Sequence, residues 1–206
     1  MVQKIFKKLR QYFRYRRYKM IRDITKVETV EGFVLDLGGG ANSFFVDRFP
    51  KQEHVVLVDI NYNTARQAKE GHPNLLVVVA DGGQLPFAKK SIEIVISNSV
   101  IEHVNDPEKL AIEIQRVSKG YFLQTPNEKF PMETHSLIAI PFFNFVAKRW
   151  LKRSLCTIFG ASFEYIESVH YLSEKRLKSL FPDSTLVYEK AFGLKKSFYI
   201  YKFDTD

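Results

Sequence analysis

The chain has 206 residues, 45% of them apolar, which is enough for one substantial core, and no second globular unit is expected within it. Its single cysteine, Cys156, excludes an intrachain disulfide and suits a reducing compartment. The net charge of +8 sits at one end: residues 1–22 hold nine cations (Lys4, Lys7, Lys8, Arg10, Arg14, Arg16, Arg17, Lys19, Arg22) and no acid, so the rest of the chain is close to neutral.

In that leader Val2, Ile5, Phe6, Leu9, Tyr12, Phe13 and Met20 fall near helical spacing with the cations between them, which predicts a basic amphipathic helix over residues 1–26 ahead of a domain at 27–206. Three uses fit such a helix. It can pack one apolar edge on the domain as a solvated charged helix, or lie on an anionic membrane surface, where each Lys or Arg contributes on the order of 1 kcal/mol. Nucleic acid ranks behind these. The recurring cations leave no continuous apolar run for a secretory signal, and the longest apolar stretch elsewhere, residues 137–147, is interrupted by Pro141 and Asn144 and falls short of the roughly 20 residues that span a bilayer. The expected location is cytoplasmic, peripheral on the inner membrane surface if the leader docks there.

The stretch Phe33–Ile60 organises the remainder. An apolar run, Phe33-Val34-Leu35, breaks at Asp36, crosses Gly38, Gly39 and Gly40, and returns as Val55–Val58 ending in Asp59: strand, tight turn, helix, strand. Glycines after a strand let the backbone pass close under a ligand and give access to positive φ. Asp59, an acid at the end of the next strand, is placed to accept hydrogen bonds from ribose hydroxyls. A dinucleotide fold and a methyl-donor fold both use this layout. The residues from Asn42 to Phe49 are expected as the first helix, stopped by Pro50, and Asn61–Glu70 as the second.

Leu75–Ala80 reads as the third strand, with Asp81-Gly82 directly after it, where a carboxylate at a strand tip can read an adenine amino group or simply form a turn. Ser91–Val100 is the fourth strand. The helix after it begins at Asp106-Pro107 and is expected to bury Leu110, Ile112, Ile114 and Val117 in part. Gly120–Gln124 is the fifth strand, ending in Thr125-Pro126-Asn127. Residues 128–170, rich in aromatics and carrying a basic cluster of Lys148, Arg149, Lys152 and Arg153, form an insertion too long for a plain connection and are expected to lid a site. Ser173 caps a helix to Phe181. Ser184–Phe192 and Ser197–Phe203 read as two strands joined at Gly193–Lys196.

The predicted fold class is therefore α/β: a Rossmann-like, seven-stranded, mostly parallel sheet with helices on both faces and a C-terminal antiparallel hairpin. Ligands in such sheets bind outside the carboxyl ends of the strands, where Asp36, Asp59, Asp81, Asn98 and Thr125 all fall.

VLDLGGGAN followed by VLVDIN resembles the first two motifs of the class I S-adenosylmethionine-dependent methyltransferases, and ADGGQLPF the third. SNSVIEHV before a helix opening in Asp-Pro is similar to the fourth motif of their type 11, ubiquinone/menaquinone-biosynthesis-like branch, and TPNEKFPMETHS to a stretch seen in some of its members. The chain departs from the pattern at Asn42, where the family writes a third glycine; Asn is the commonest non-glycine residue to tolerate left-handed φ. The resemblance implies S-adenosylmethionine as cofactor, held by Asp36, Gly38, Gly39, Gly40, Asn42, Asp59, Ile60, Asp81, Gly82, Asn98 and Ser99, and no metal. It implies a methyltransferase and leaves the acceptor open; the aromatic insertion and the amphipathic leader favour a small-molecule or lipid-like acceptor. RNA or protein methylation, or non-catalytic donor binding, are the alternatives. Glu133 and His135, in the segment expected to cover the acceptor, form a candidate pair to orient or deprotonate an acceptor hydroxyl, or else a bond internal to the lid. His103 is a candidate catalytic residue whose rival role is capping or packing.

Overall fold

The five apolar runs pair side by side as parallel strands: β1 (Val34–Leu37), β2 (Val55–Asp59), β3 (Leu76–Val79), β4 (Ile92–Asn98) and β5 (Ser118–Pro126). The structure is a computed structural model that describes residues 2–130, 132–133, 140–141, 149–159 and 163–203, with residues 2–10, 132–133, 140–141, 159 and 165 described by backbone alone. Two short strands, β6 (Met132–Glu133) and β7 (Ile140–Pro141), pair with each other, and β8 (Thr185–Ala191) and β9 (Leu194–Lys202) complete the main sheet. Its order is β3-β2-β1-β4-β5-β9-β8, with β9 antiparallel to both neighbours. This is the predicted mostly parallel seven-stranded sheet with its C-terminal hairpin.

The helices are α1 (Val2–Thr25), α2 (Tyr62–Gly71), α3 (Pro107–Val117), α4 (Arg149–Phe159), α5 (Phe163–Glu167) and α6 (Glu174–Leu180). Three start where the sequence supplies a side-chain acceptor for an unpaired amide: Asn61 takes the Thr64 N–H, Asp106 the Lys109 N–H and Ser173 the Arg176 N–H. Alternation along the strands then sends side chains to two separate cores. Leu35, Leu37, Val56, Val58, Val95, Tyr121 and Leu123 pack against α3 and α6. Val34, Val55, Leu57, Ile94, Ile96 and Phe122 pack, on the other face, against Tyr18 and Ile21 of α1 and Ala68 of α2. Leu155, Cys156, Phe163 and Ile166 form a small cluster of their own between α4 and α5.

Three local expectations are corrected. Residues 42–49 form no α-helix, only a 3-10 turn at Val46–Arg48, because Phe44, Phe45, Val46 and Phe49 are all buried and leave no solvent face for a helix to present. The hairpin turn is the pair Phe192-Gly193, both left-handed at φ 52° and 77°, so β9 already begins at Leu194; two left-handed central residues match the twist of paired strands. Ile112 is exposed, while Leu110, Ile114 and Val117 are buried as expected.

Candidate active site

In sheet order, the tips of β3, β2, β1 and β4 present Asp81, Asp59, the run Gly38–Gly40 and Asn98. Neighbouring strands stand about 4.8 Å apart, so this row extends over roughly 14 Å, the span of a nucleoside with a short tail.

The loop after β1 is built from both sides. Gly38 and Gly40 are left-handed, at φ 68° and 70°, and Asn42 is not, so the two glycines carry the turn that the family places partly at a third. The Gly38 amide donates to the Val58 carbonyl at 2.7 Å, and a Cβ there would come within 2.5 Å of Val100 Cγ2. A Cβ on Gly39 would collide with the Asp36 carboxylate. At Gly40 it would meet nothing within 4 Å, so this backbone borders open space, the ledge on which a ligand can lie.

Asp36 lies under that ledge, only 2% exposed, and accepts a hydrogen bond from the Ser43 hydroxyl. Ser43 Oγ in turn accepts from the amides of Phe45 and Val46, at 3.2 and 3.1 Å. Burial pushes the Asp36 carboxyl up to about 7; the Ser43 bond opposes the rise and the charge of Asp59 adds to it. Because the folded value lies above the unfolded one, near 3.8, the native state holds this proton longer, and stability declines as pH rises from about 4 to 7. Asp36→Asn is expected to flatten that decline, gaining up to about 4 kcal/mol relative to the parent between pH 4 and pH 8. Urea unfolding across that range measures it, and parallel curves for the two proteins would contradict it.

Asp59 and Asp81 each use one oxygen to brace their own turn: Asp59 Oδ1 accepts from the Asn61 amide at 2.9 Å and Asp81 Oδ1 from the Gly83 amide at 2.8 Å. Among the described residues the second oxygen of each has no hydrogen-bond partner. Ile60 beside Asp59 is exposed, an apolar surface next to the carboxylate. Gly82 answers to packing, since a Cβ there would come within 2.6 Å of Leu110 Cδ1 on α3.

Asn98 is half-buried at the tip of β4. Ser99 is left-handed at φ 56°, an uncommon state for serine, held by its amide on the Gln124 carbonyl at 2.9 Å and its hydroxyl on Gln124 Oε1 at 2.8 Å. His103 closes the 3-10 turn Ile101–His103, half-buried, its amide donating to the Val100 carbonyl. The buried Glu102 beside it accepts from the Thr125 hydroxyl at 2.9 Å. Glu133 lies on β6, its side chain outside the described residues, as is the whole of His135. A cavity of about 520 Å³ opens between the turn after β4 and the approach to α6, lined by Ile101, Val104, Pro107, His170, Leu172 and Arg176 among others.

Arg17 of α1 is the site residue that sequence reasoning missed. Its guanidinium is buried, with Nη1 donating to Asn98 Oδ1 at 2.5 Å and Nη2 lying 3.3 Å from Glu189 Oε2. Glu189 also accepts from Lys196 Nζ at 2.6 Å. The register of β8 and β9 slips at this point, Glu189 opposing Ser197 and Lys190 opposing Lys195, so Lys196 is the extra residue of a β-bulge. Burial alone would raise the Glu189 carboxyl, but Arg17 and Lys196 outweigh it and hold it at about 2. Burial, with Arg17 nearby, brings the Lys196 ammonium down to about 8, against the pull of Glu189.

Across this frame, from β1 to β5, a methyltransferase-domain profile matches residues 35–123. That stretch is similar to the methyltransferase domain. The chain is 33% identical over 105 residues to an uncharacterized methyltransferase of Mycobacterium sp. strain JLS, covering 48% of this chain and 41% of that one. It is 26% identical over 141 residues to a demethylmenaquinone methyltransferase of Renibacterium salmoninarum, covering 68% and 57%. The chain thus spans about half the length of the relatives it matches. Its fold matches that of an S-adenosylmethionine-dependent methyltransferase of Methanosarcina mazei with a TM-score of 0.56 at 16% identity, over 86% of this chain and 95% of that one. The residues at the tips suit S-adenosylmethionine, the cofactor that the sequence resemblance implies: an open glycine ledge at Gly40, and carboxylates at Asp59 and Asp81 with one oxygen each unbonded among the described residues.

Proposed function

We propose that the chain transfers the methyl group of S-adenosylmethionine to a small-molecule or lipid-like acceptor. The observation that carries this reading is the single row of tips, in which two available carboxylates, a side-chain-free ledge and a carboxamide follow one another in sheet order. When bound, the donor brings a methyl group already activated by a cationic sulfur, so the protein's work is positioning and exclusion of water. Asp59 holds the ribose hydroxyls, Asp81 the adenine amino group, and the Gly38–Gly40 backbone the middle of the ligand. Asp36 fixes that backbone from below. Asn98 and Ser99 wall the methyl end.

The acceptor is assigned to the cavity beside Ile101, three residues past Asn98, whose mostly apolar lining, with His170 and Arg176 among its polar members, suits an apolar ring or chain bearing an oxygen. The likeness to a demethylmenaquinone methyltransferase points the same way. Residues 128–170 act as the lid over this acceptor, with His135 and Glu133 the groups to orient or deprotonate a hydroxyl and His103 the alternative on the domain itself. An acceptor of this kind is met at a membrane surface, with residues 1–22 as the contact.

RNA or protein methylation is the second reading, from the basic cluster at 148–153. Arg149 is paired with Glu167 and Arg153 with Glu164, and both guanidiniums lie over the Phe163 ring, so these two cations serve the α4–α5 unit. Incubating the protein with methyl-labelled donor and a fractionated cell extract tests the proposal. Label is expected in the lipid or small-metabolite fraction; label in RNA or protein would reverse the order of the two readings, and unchanged donor in every fraction would remove both.

A further inference from the structure

α1 has two faces of opposite character. Phe13, Arg17, Met20, Ile21 and Ile24 follow one another at helical spacing on the side turned to the domain, where Arg17 and Ile21 are buried. Tyr18 is buried beside them, its hydroxyl proton within reach of two acceptors, Glu28 Oε1 at 2.8 Å and the Arg48 carbonyl at 2.9 Å, while Lys196 Nζ sits 4.5 Å from the centre of the Phe13 ring. The opposite ridge, at spacings of three, four and seven, is Tyr12, Tyr15, Arg16 and Lys19. All four are exposed, the tyrosines at 54% and 59%. Arg16 lies over the Tyr12 ring at 5.7 Å.

We infer that this outward ridge docks the protein on the surface of an anionic lipid bilayer. Two observations select that partner. The ridge belongs to a segment with nine cations and no acid, complementary to an anionic surface. It also interleaves those cations with exposed tyrosines, side chains whose apolar ring and polar hydroxyl suit the boundary between headgroups and acyl chains. No helix among the described residues is long and apolar enough to cross a membrane, so the contact is one of lying on the surface. The inward face makes the docking consequential. The helix that meets the lipid is the one whose Arg17 holds Asn98 at the tip of β4, so α1 fixes the crevice at a set distance from the bilayer. The inference deepens the proposed lipid-like acceptor and rests on that reading only for its purpose; binding is read without donor or acceptor, so the two fail separately.

The test is co-sedimentation of the full chain with phosphatidylcholine vesicles, with and without about one third phosphatidylglycerol, at about 0.1 M and about 1 M salt. The protein is expected to pellet with the anionic vesicles at low salt, at least tenfold less at high salt, and not with neutral vesicles. The pair Arg16→Glu and Lys19→Glu should lower binding at least tenfold with unchanged thermal unfolding, and Tyr12→Ser with Tyr15→Ser should lower it less. Equal pelleting with neutral vesicles, no pelleting with anionic ones, undiminished binding by the charge-reversed pair, or tighter binding to single-stranded RNA at the same salt would each overturn the inference.

Discussion

Replacing Asp59 by alanine is expected to weaken S-adenosylmethionine binding at least about a hundredfold. A carboxylate that accepts from two ribose hydroxyls makes two charge-assisted hydrogen bonds, each contributing about 1.5–3 kcal/mol, and every 1.4 kcal/mol is about a factor of ten in affinity. The fold has little invested in the same side chain: its one bond is to the amide two residues on, in a half-exposed turn. Thermal unfolding should therefore shift by no more than about 1 kcal/mol. Asp81→Ala, which would remove the one contact proposed to the adenine, should cost about tenfold. A variant at Asp59 that keeps parental affinity would mean that the nucleoside is held elsewhere. One that loses affinity and stability together would mean that the carboxylate serves the turn and not the ligand.

The second large effect is on stability. Glu189→Ala leaves two cations, Arg17 and Lys196, buried beside each other, with no carboxylate partner among the described residues, and removing one side of a buried ionic group typically costs about 3–5 kcal/mol. Lys196 softens the loss because its ammonium, already brought down to about 8, can shed its proton near neutral pH. Lys196→Met should cost much less, since Glu189 keeps Arg17. Denaturant unfolding of both variants checks the order. A Glu189→Ala variant no less stable than Lys196→Met would show that the cluster is solvated and that α1 is held by its apolar side chains alone. The same cluster fixes Asn98, so the Glu189 variant should also bind donor more weakly than Lys196→Met.

Much of this was legible in the chain. Val- and Ile-rich runs that end in Asp or Asn announce parallel strands whose polar tips line up, and Asn61, Asp106 and Ser173 mark helix starts to the residue. Three things were not. The segment after the glycine loop has the length of a helix and apolar residues at plausible spacing, yet Ser43 takes the Phe45 and Val46 amides from below and every large apolar side chain turns inward. The β-bulge at Lys196 sits in a run, Leu194-Lys195-Lys196, whose polarity imitates a loop, so the sequence pattern alone places the start of this strand at Ser197 and not at Leu194. Arg17 was hidden among nine cations; periodicity places it on a helix, but only the carboxylate of Glu189, 172 residues away in sequence, explains why this cation is the one to turn inward. Asp36 shows the converse. Its place in the motif was plain, but its burial under Gly39 and its bond to Ser43 assign it to the shape of the ledge.

The central claim is that the tips of β1 to β4 grip S-adenosylmethionine and not a dinucleotide. Isothermal titration of the purified chain with S-adenosylmethionine, and in parallel with nicotinamide adenine dinucleotide, tests it directly. One site per chain is expected for the first ligand, lost in Asp59→Ala, and no heat from the second. No heat from S-adenosylmethionine, or a dinucleotide signal that depends on Asp59, would contradict it.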